Sequence, residues 1–488
     1  MKANSIYVCA LALTFWASSL TAADQRLVDA VKRGDKAALR SLLQQHADVN
    51  AAKGDGATAL SWAVHRDDLE TTDLLLRAGA NVNAANIYGV TALYLACSNG
   101  NAAVAERLLK AAANVNAALP SGETILMRAA RTGNVDVVKA LLARNVDVNA
   151  KENTRGQTAL MWALAENHPE AARELIAHGA DVQAQTKTGF TVLMFAAQQG
   201  NVDAARMLVA AGAKVNDPSP NEGTALVVAA ASGHEPLAEF LLSKDANPNA
   251  TDRYGVAPLH YAILRGMSLG AGVEWYSSAP FLYRPNMPNL VKALLAHGAN
   301  PNVRIAKPPV LPGIRRITVM SIVGATPYIL AALTYDAPLM RTLVAAGADP
   351  RIHTEENTSA LIYAAGLAEG LGKTPDRTPE VDKNALEAVR LAVELGDDVN
   401  APNRGGETAL HGAAFVGSSA IVQFLVDKGA KVNVTDSSGQ TPWTVAAQVF
   451  PPTLLDDNLR PQSGHPETAD LLLKLGATPY DPAASNGK

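Results

Sequence analysis

Apolar residues in this chain fall into short, paired runs. In 406–436, GETALHGAAFVGSSAIVQFLVDKGAKVNVTD, the hydroxyl residue Thr408 stands just before Ala409, Leu410, Ala413 and Ala414. That spacing predicts a short helix with a small-residue face, its first N–H groups capped by the threonine oxygen. Gly417 ends it, because a residue of positive φ is wanted there. Ile421, Val422, Leu425 and Val426 predict a second helix, stopped by Gly429, and Lys431 to Gly439 predict an extended, turn-rich link. Two helices this short cannot bury their apolar faces alone, so neighbouring units must stack.

The same unit recurs. The cap position is occupied by Thr58, Thr91, Thr124, Thr158, Thr191, Thr224, Ala257, Thr326, Ser359, Thr408 and Thr441, in steps of 33, 33, 34, 33, 33, 33, 69, 33, 49 and 33. A second marker keeps phase with it: Asp48-Val-Asn50, Asn81-Val-Asn83, Asn114-Val-Asn116, Asp147-Val-Asn149, Lys214-Val-Asn216 and Asp398-Val-Asn400. Pro258, Pro327 and Pro442 follow the cap directly, where the first helical position tolerates proline.

A period of 33 carrying T-x-L-x-x-A-A, a mid-repeat glycine and a terminal G-A-[DN]-V-N-A resembles the ankyrin repeat, and Thr408-Ala-Leu-His411-Gly-Ala-Ala414 is close to that family's TPLHxAA. The resemblance covers roughly residues 24 to 480. It implies an all-α solenoid of about twelve helix-turn-helix repeats with β-turn or hairpin links, and a concave surface made by the links and first helices. His260 and His411 match the family's turn-bracing histidine, and His178 and His297 the position before the glycine that ends the second helix. Arg66, Asn167 and Asn145 stand where glycine is usual, and a slightly altered turn is expected at Arg66.

The expected organisation is a capping repeat at 24–50, then repeats at 54–86, 87–119, 120–153, 154–186, 187–219 and 220–252. The rhythm then breaks. Residues 253–302 carry an insert at 267–288, and a further insert at 303–323 lies in the next link. A repeat follows at 324–354, then 355–403 with an insert at 366–383, a repeat at 404–436, and a capping repeat at 437–480 with an insert at 449–466. Inserts along one edge of such a stack are candidate binding surface.

The N-terminus has the form of an export signal. Lys2 precedes an apolar run from Ile6 to Trp16, and Thr21-Ala-Ala23 offers small residues for cleavage before Asp24, so 1–23 is expected to be removed. No later apolar run is long enough to span a bilayer, and no membrane anchor is expected after removal of the signal. A periplasmic or secreted location follows. Removal would take Cys9 and leave Cys97 as a buried substitute for alanine, with no internal disulfide possible.

Candidate chemistry is sparse. The first insert brings Trp275, Tyr276, Phe281, Tyr283 and Arg284 together in a chain with only 5% aromatic residues. They form either a hot spot or a seal that closes the insert onto the stack. Residues 253–335 hold eight bases, Arg315 and Arg316 among them, and one acid, whereas 351–400 hold ten acids and five bases. These patches either attract a charged partner or neutralise each other. Other contact candidates sit on the link tips: Asn86, Tyr88, Lys187, Phe190, Arg253, Tyr254 and Arg404. Gly366 to Thr374 resembles a phosphate loop but has the wrong spacing, with leucine at 367. No zinc spacing and no nucleophile motif occur, so no cofactor, metal or catalytic residue is expected. A formal charge of −4 argues against nucleic acid. The expectation is a non-catalytic scaffold that binds another protein. Two alternatives are a small-molecule or glycan receptor using the aromatic and basic inserts, and an inhibitor or protector of an envelope enzyme.

Overall fold

The computed structural model describes residues 25–263, 287–307, 322–367, 378–448 and 464–479. The signal segment, Trp275, Tyr276, Phe281, Tyr283, Arg284, Arg315 and Arg316 lie outside them. The chain forms two compact units, Met1–Lys214 and Val215–Lys488. Within each, the expected pattern of paired helices joined by links is what folds. Among the described residues the regular structure is helical, with isolated bridges such as Ala85 to Thr91 closing the links.

Each pair is built as the sequence dictates. In the first unit Ala92–Asn99 is capped by the Thr91 hydroxyl, which accepts from the Tyr94 N–H at 3.2 Å, and Gly100 ends it at φ 68°. Asn101 caps the second helix, Ala102–Lys110, through the Val104 N–H. Small and branched residues (Ala92, Leu93, Ala96, Val104, Ala105, Leu108) are buried between neighbouring pairs. First helices pack on first helices and second on second within each unit. Cys97 is fully buried there, and burial pushes its thiol up to about 12, so it behaves as a core residue. Leu425, Ile421 and Val422 are fully buried in the second unit.

Five local expectations are corrected. The left-handed residue in the second copy is Asp67 at φ 55°, while Arg66 stays at −89°; the position equivalent to Gly100 is 67. Asn145, at φ 45°, ends a second helix and not a first. The helix Pro379–Glu394 begins inside the stretch expected as an insert, runs 16 residues, and is capped by Thr378. Likewise Pro288 and Pro466 are first helical residues, not insert ends. Two inserts leave the frame undisturbed. In regular copies an N–H such as that of Asn101 returns to Ala96; across the gaps Met287 bonds Ala262 at 2.9 Å and His465 bonds Ala446 at 2.8 Å. The link insert closes on a matching pair, Ile305 N–H to Ala325 and Gly324 N–H to Ile305.

The recurrent asparagine marks more than phase. In nine copies (Asn50, Asn83, Asn116, Asn149, Asn216, Asn249, Asn302, Asn400 and Asn433) its Oδ1 accepts a backbone N–H of the next copy at 2.6–3.1 Å. Its Nδ2 donates to a turn carbonyl of that copy, as Asn149 does to Gly179 at 3.0 Å. Gln183 and Arg351 occupy this position without that geometry. Gln183→Asn is therefore expected to raise stability by about 1 kcal/mol, the usual net worth of such bonds, seen as a higher urea midpoint. An unchanged or lower midpoint would show that the ladder adds nothing at that step.

Candidate functional site

The link tips are held by their own polar groups. Asn86 Oδ1 accepts from the Tyr88 and Val90 N–H groups at 3.0 and 2.9 Å, and Asp252 does the same for Tyr254 and Val256. Glu152 accepts from Thr154, Arg155 and Gln157. Burial opposes its charge, but these three N–H groups outweigh that and hold its carboxyl below the usual range. The carboxylates and amides of the tips are thus used to shape the turns.

A second set of bonds joins tip to tip. In the first unit Ile87 N–H bonds Asp55 O at 3.1 Å, Asn153 N–H bonds Ser121 O at 2.7 Å, and Lys187 N–H bonds Arg155 O at 2.8 Å. The donor position between the first two is Pro120, which has no N–H. Tyr88 O, the matching acceptor, therefore lacks a rung. In the second unit Ala306 and Lys307 both donate to Tyr254 O, and Arg404 N–H bonds Glu356 O.

The tip candidates accordingly differ. Tyr88 is 66% exposed, as is its neighbour Ile87. Tyr254 lies under the Arg253 guanidinium, 4.7 Å from ring to carbon, and its hydroxyl accepts from Arg253 at 2.6 Å. Lys187 donates to the Asn153 carbonyl, and Phe190 meets Phe195 edge-on at 4.9 Å. Arg404 pairs with Glu356 at 3.3 Å. Of the two charge patches only part lies within the described residues. Glu356 and Glu387 pair with Arg404 and Arg341, which lie outside the basic stretch, while Arg304 bonds the Gly324 and His353 carbonyls.

One set of residues escaped the sequence reading. Four places after the capping threonine, the first unit carries Trp62, Leu95, Arg128, Trp162 and Phe195 at equivalent positions. Lys32 covers the Trp62 ring at 4.0 Å and Arg131 the Trp162 ring at 5.2 Å, with Arg131 also bonded to Glu166 at 3.1 Å. Arg128 pairs with Glu123 at 2.7 Å, and Tyr94 donates to the same carboxylate at 2.9 Å. Burial and that carboxylate push the Tyr94 hydroxyl up to about 12. A shallow depression of about 370 Å³ opens here, bounded by Ser121, Arg131, Glu152, Arg155, Trp162 and Glu166. Reading the column of fourth positions, instead of each repeat by itself, would have found it.

The two matched histidines brace turns. The His260 ring accepts from the Ala257 N–H through Nδ1 at 3.0 Å and reaches the Val303 carbonyl through Nε2 at 3.1 Å. His411 repeats this with Thr408 and Gln440. His178 and His297 each touch the carbonyl four residues back at the end of a second helix. Among the described residues no three of His, Cys, Asp and Glu converge to hold a metal ion. What the geometry offers is a rigid surface of aromatic, paired charged and exposed apolar side chains.

The family model described as Ankyrin repeats (3 copies) matches residues 27–119, 68–152, 126–219, 193–271 and 381–483. The chain is 34% identical over 102 residues to mouse (Mus musculus) Ankyrin repeat and SOCS box protein 16, a stretch covering 21% of each chain. It is 45% identical over 62 residues to the mouse RelA-associated inhibitor, covering 13% of this chain and 8% of that one. Over 109 residues it is 27% identical to the E3 ubiquitin-protein ligase KEG of Arabidopsis thaliana, covering 22% and 6%. The matched stretches thus span about a fifth or less of these relatives. With the repeat matched over most of its length and the helix pairs, caps and turn-bracing histidines in register, this chain belongs to the ankyrin-repeat family.

Proposed function

We propose that this protein is a non-catalytic scaffold that holds another protein, and that it works after export, in the cell envelope or outside the cell. The observation that carries the reading is the division of labour at the tips, clearest at Ile87 and Tyr88. Polar atoms are spent on caps, ladders and turns, while large side chains such as Ile87 and Tyr88 stand exposed on tips that the frame keeps rigid. Residues preorganised in this way bind without a large ordering cost. The relative named a RelA-associated inhibitor is by its name a protein that associates with another protein, and likeness to part of it fits the same class of role. Export rests on the signal-like run in 1–23.

The test is affinity capture from envelope extract with the mature chain, followed by titration of the purified captured protein. A saturable one-to-one complex is the expected result. Retention of nothing beyond what an unrelated repeat protein retains would overturn the binding role. Sequencing the N-terminus of protein recovered from cells tests export, which requires a start at Asp24 and is overturned by retained Met1.

A further inference from the structure

We infer that the tip formed by Ile87 and Tyr88 is a docking point for an extended segment of a partner protein, which donates a backbone N–H to the Tyr88 carbonyl and lays an apolar side chain against Ile87, Tyr88 and Pro120. The placement rests on the protein-binding reading above and names its site and ligand chemistry. The tip-to-tip ladder of the first unit supplies a donor to Asp55 O, Ser121 O and Arg155 O, in each case from the residue 32 places on. For Tyr88 that residue is Pro120, and a proline nitrogen donates nothing. Pro120 also sits close against the turn, since a Cβ on Gly89 would lie 3.1 Å from its Cδ. The missing rung is therefore built in, and it leaves a main-chain acceptor open on a rigid, hydrogen-bonded turn.

The side chains around that acceptor choose the ligand. Ile87 and Tyr88 are each 66% exposed, the highest values among exposed large apolar side chains of the described residues. Leu119 is half-buried and Pro120 exposed beside them. An apolar surface with one unpaired carbonyl matches a polypeptide in extended form, which carries an N–H beside each side chain. A polyanion is disfavoured, because the adjoining depression carries Glu123, Glu152 and Glu166, with Arg131 of its lining already paired with Glu166 and Arg128, outside the lining, paired with Glu123.

The full mature chain is screened against a display library of random short peptides, and enriched peptides are titrated against wild type and three variants, each checked for unchanged thermal unfolding. Tyr88→Ser and Ile87→Asp change exposed side chains and are expected to weaken binding about tenfold or more, as loss of a central anchor does. Pro120→Ala restores an N–H that competes for Tyr88 O. It is expected to weaken binding about fivefold, the equivalent of one net hydrogen bond, although it touches no exposed aromatic. Peptides indifferent to Tyr88→Ser and Ile87→Asp overturn the inference and leave the protein-binding reading to the capture experiment. So does a library that yields no binder. Indifference to Pro120→Ala alone overturns the role of the carbonyl.

Discussion

Replacing Leu425 by alanine is expected to lower stability by about 2–5 kcal/mol, the usual range for truncating a buried leucine. Leu425 is fully buried on the helix Ser419–Asp427, with Ile421 and Val422 beside it. Its burial depends on stacking, because that helix of nine residues packs against the neighbouring second helices Pro379–Glu394 and Pro466–Lys474. Stability in such arrays is a sum of repeat and interface terms, so the cavity weakens two interfaces at once. Urea unfolding followed by helical circular dichroism reads it. A loss under about 0.5 kcal/mol would mean that the second-helix frame is wrong, since no buried leucine is that cheap to remove.

The second large effect is with pH, where a buried histidine and a half-buried carboxylate act in opposite directions. Burial pushes the His260 ring down to about 4 from an ordinary 6.5. A proton on Nδ1 would also break the bond from the Ala257 N–H. Above 6.5 the ring is neutral in both states. Below it the unfolded chain takes up a proton that the folded chain refuses, so stability is lost as pH falls from about 6.5 toward 4. The full loss is about 3 kcal/mol. His411, pushed down by burial too, adds to it.

Asp397 opposes this. It stands where other copies have a buried alanine, such as Ala180 or Ala430, and its carboxylate accepts the Leu361 N–H at 3.0 Å. Burial pushes it up to about 6. In this case the folded state holds the proton more tightly, so its cost is full above about 6 and fades as pH falls toward 3.8. Asp397→Asn keeps an acceptor for Leu361 and removes the charge. The expected result is a gain of about 1–3 kcal/mol at about pH 8 and a steeper loss of stability toward about pH 5, measured by urea unfolding at both. A variant with the wild-type pH profile would show that Asp397 is not desolvated.

Much of this was legible in the chain itself. Capping threonines, glycines at φ near 70°, and pairs of short apolar runs are local devices, each acting over three or four residues, and they recur in phase. His260 and His411 were legible because the resemblance placed them. Asp67 escaped because neither it nor Arg66 is a glycine, and only the backbone shows that the left-handed residue stands nine places after Thr58, as Gly100 does after Thr91. The helix start at Pro379 was missed because its polar first turn, Pro-Glu-Val-Asp-Lys, reads as loop without the Thr378 cap in view. Tyr88 could be named as exposed, but its importance depends on Pro120, one repeat away.

The sequence by itself determined the period, the two helices of each repeat, their capping threonines and turns, and which repeats carry inserts, though not where the inserts end, because those features are set by neighbours within a few residues. Only the tertiary structure decided which groups about 30 residues apart meet. It set the asparagine ladder, the tip-to-tip rungs and the gap at Tyr88, the cations stacked on Trp62 and Trp162, and the desolvation of the half-buried Asp397. Those contacts have no local cause. They exist only once stacking has brought equivalent positions of adjacent repeats into register.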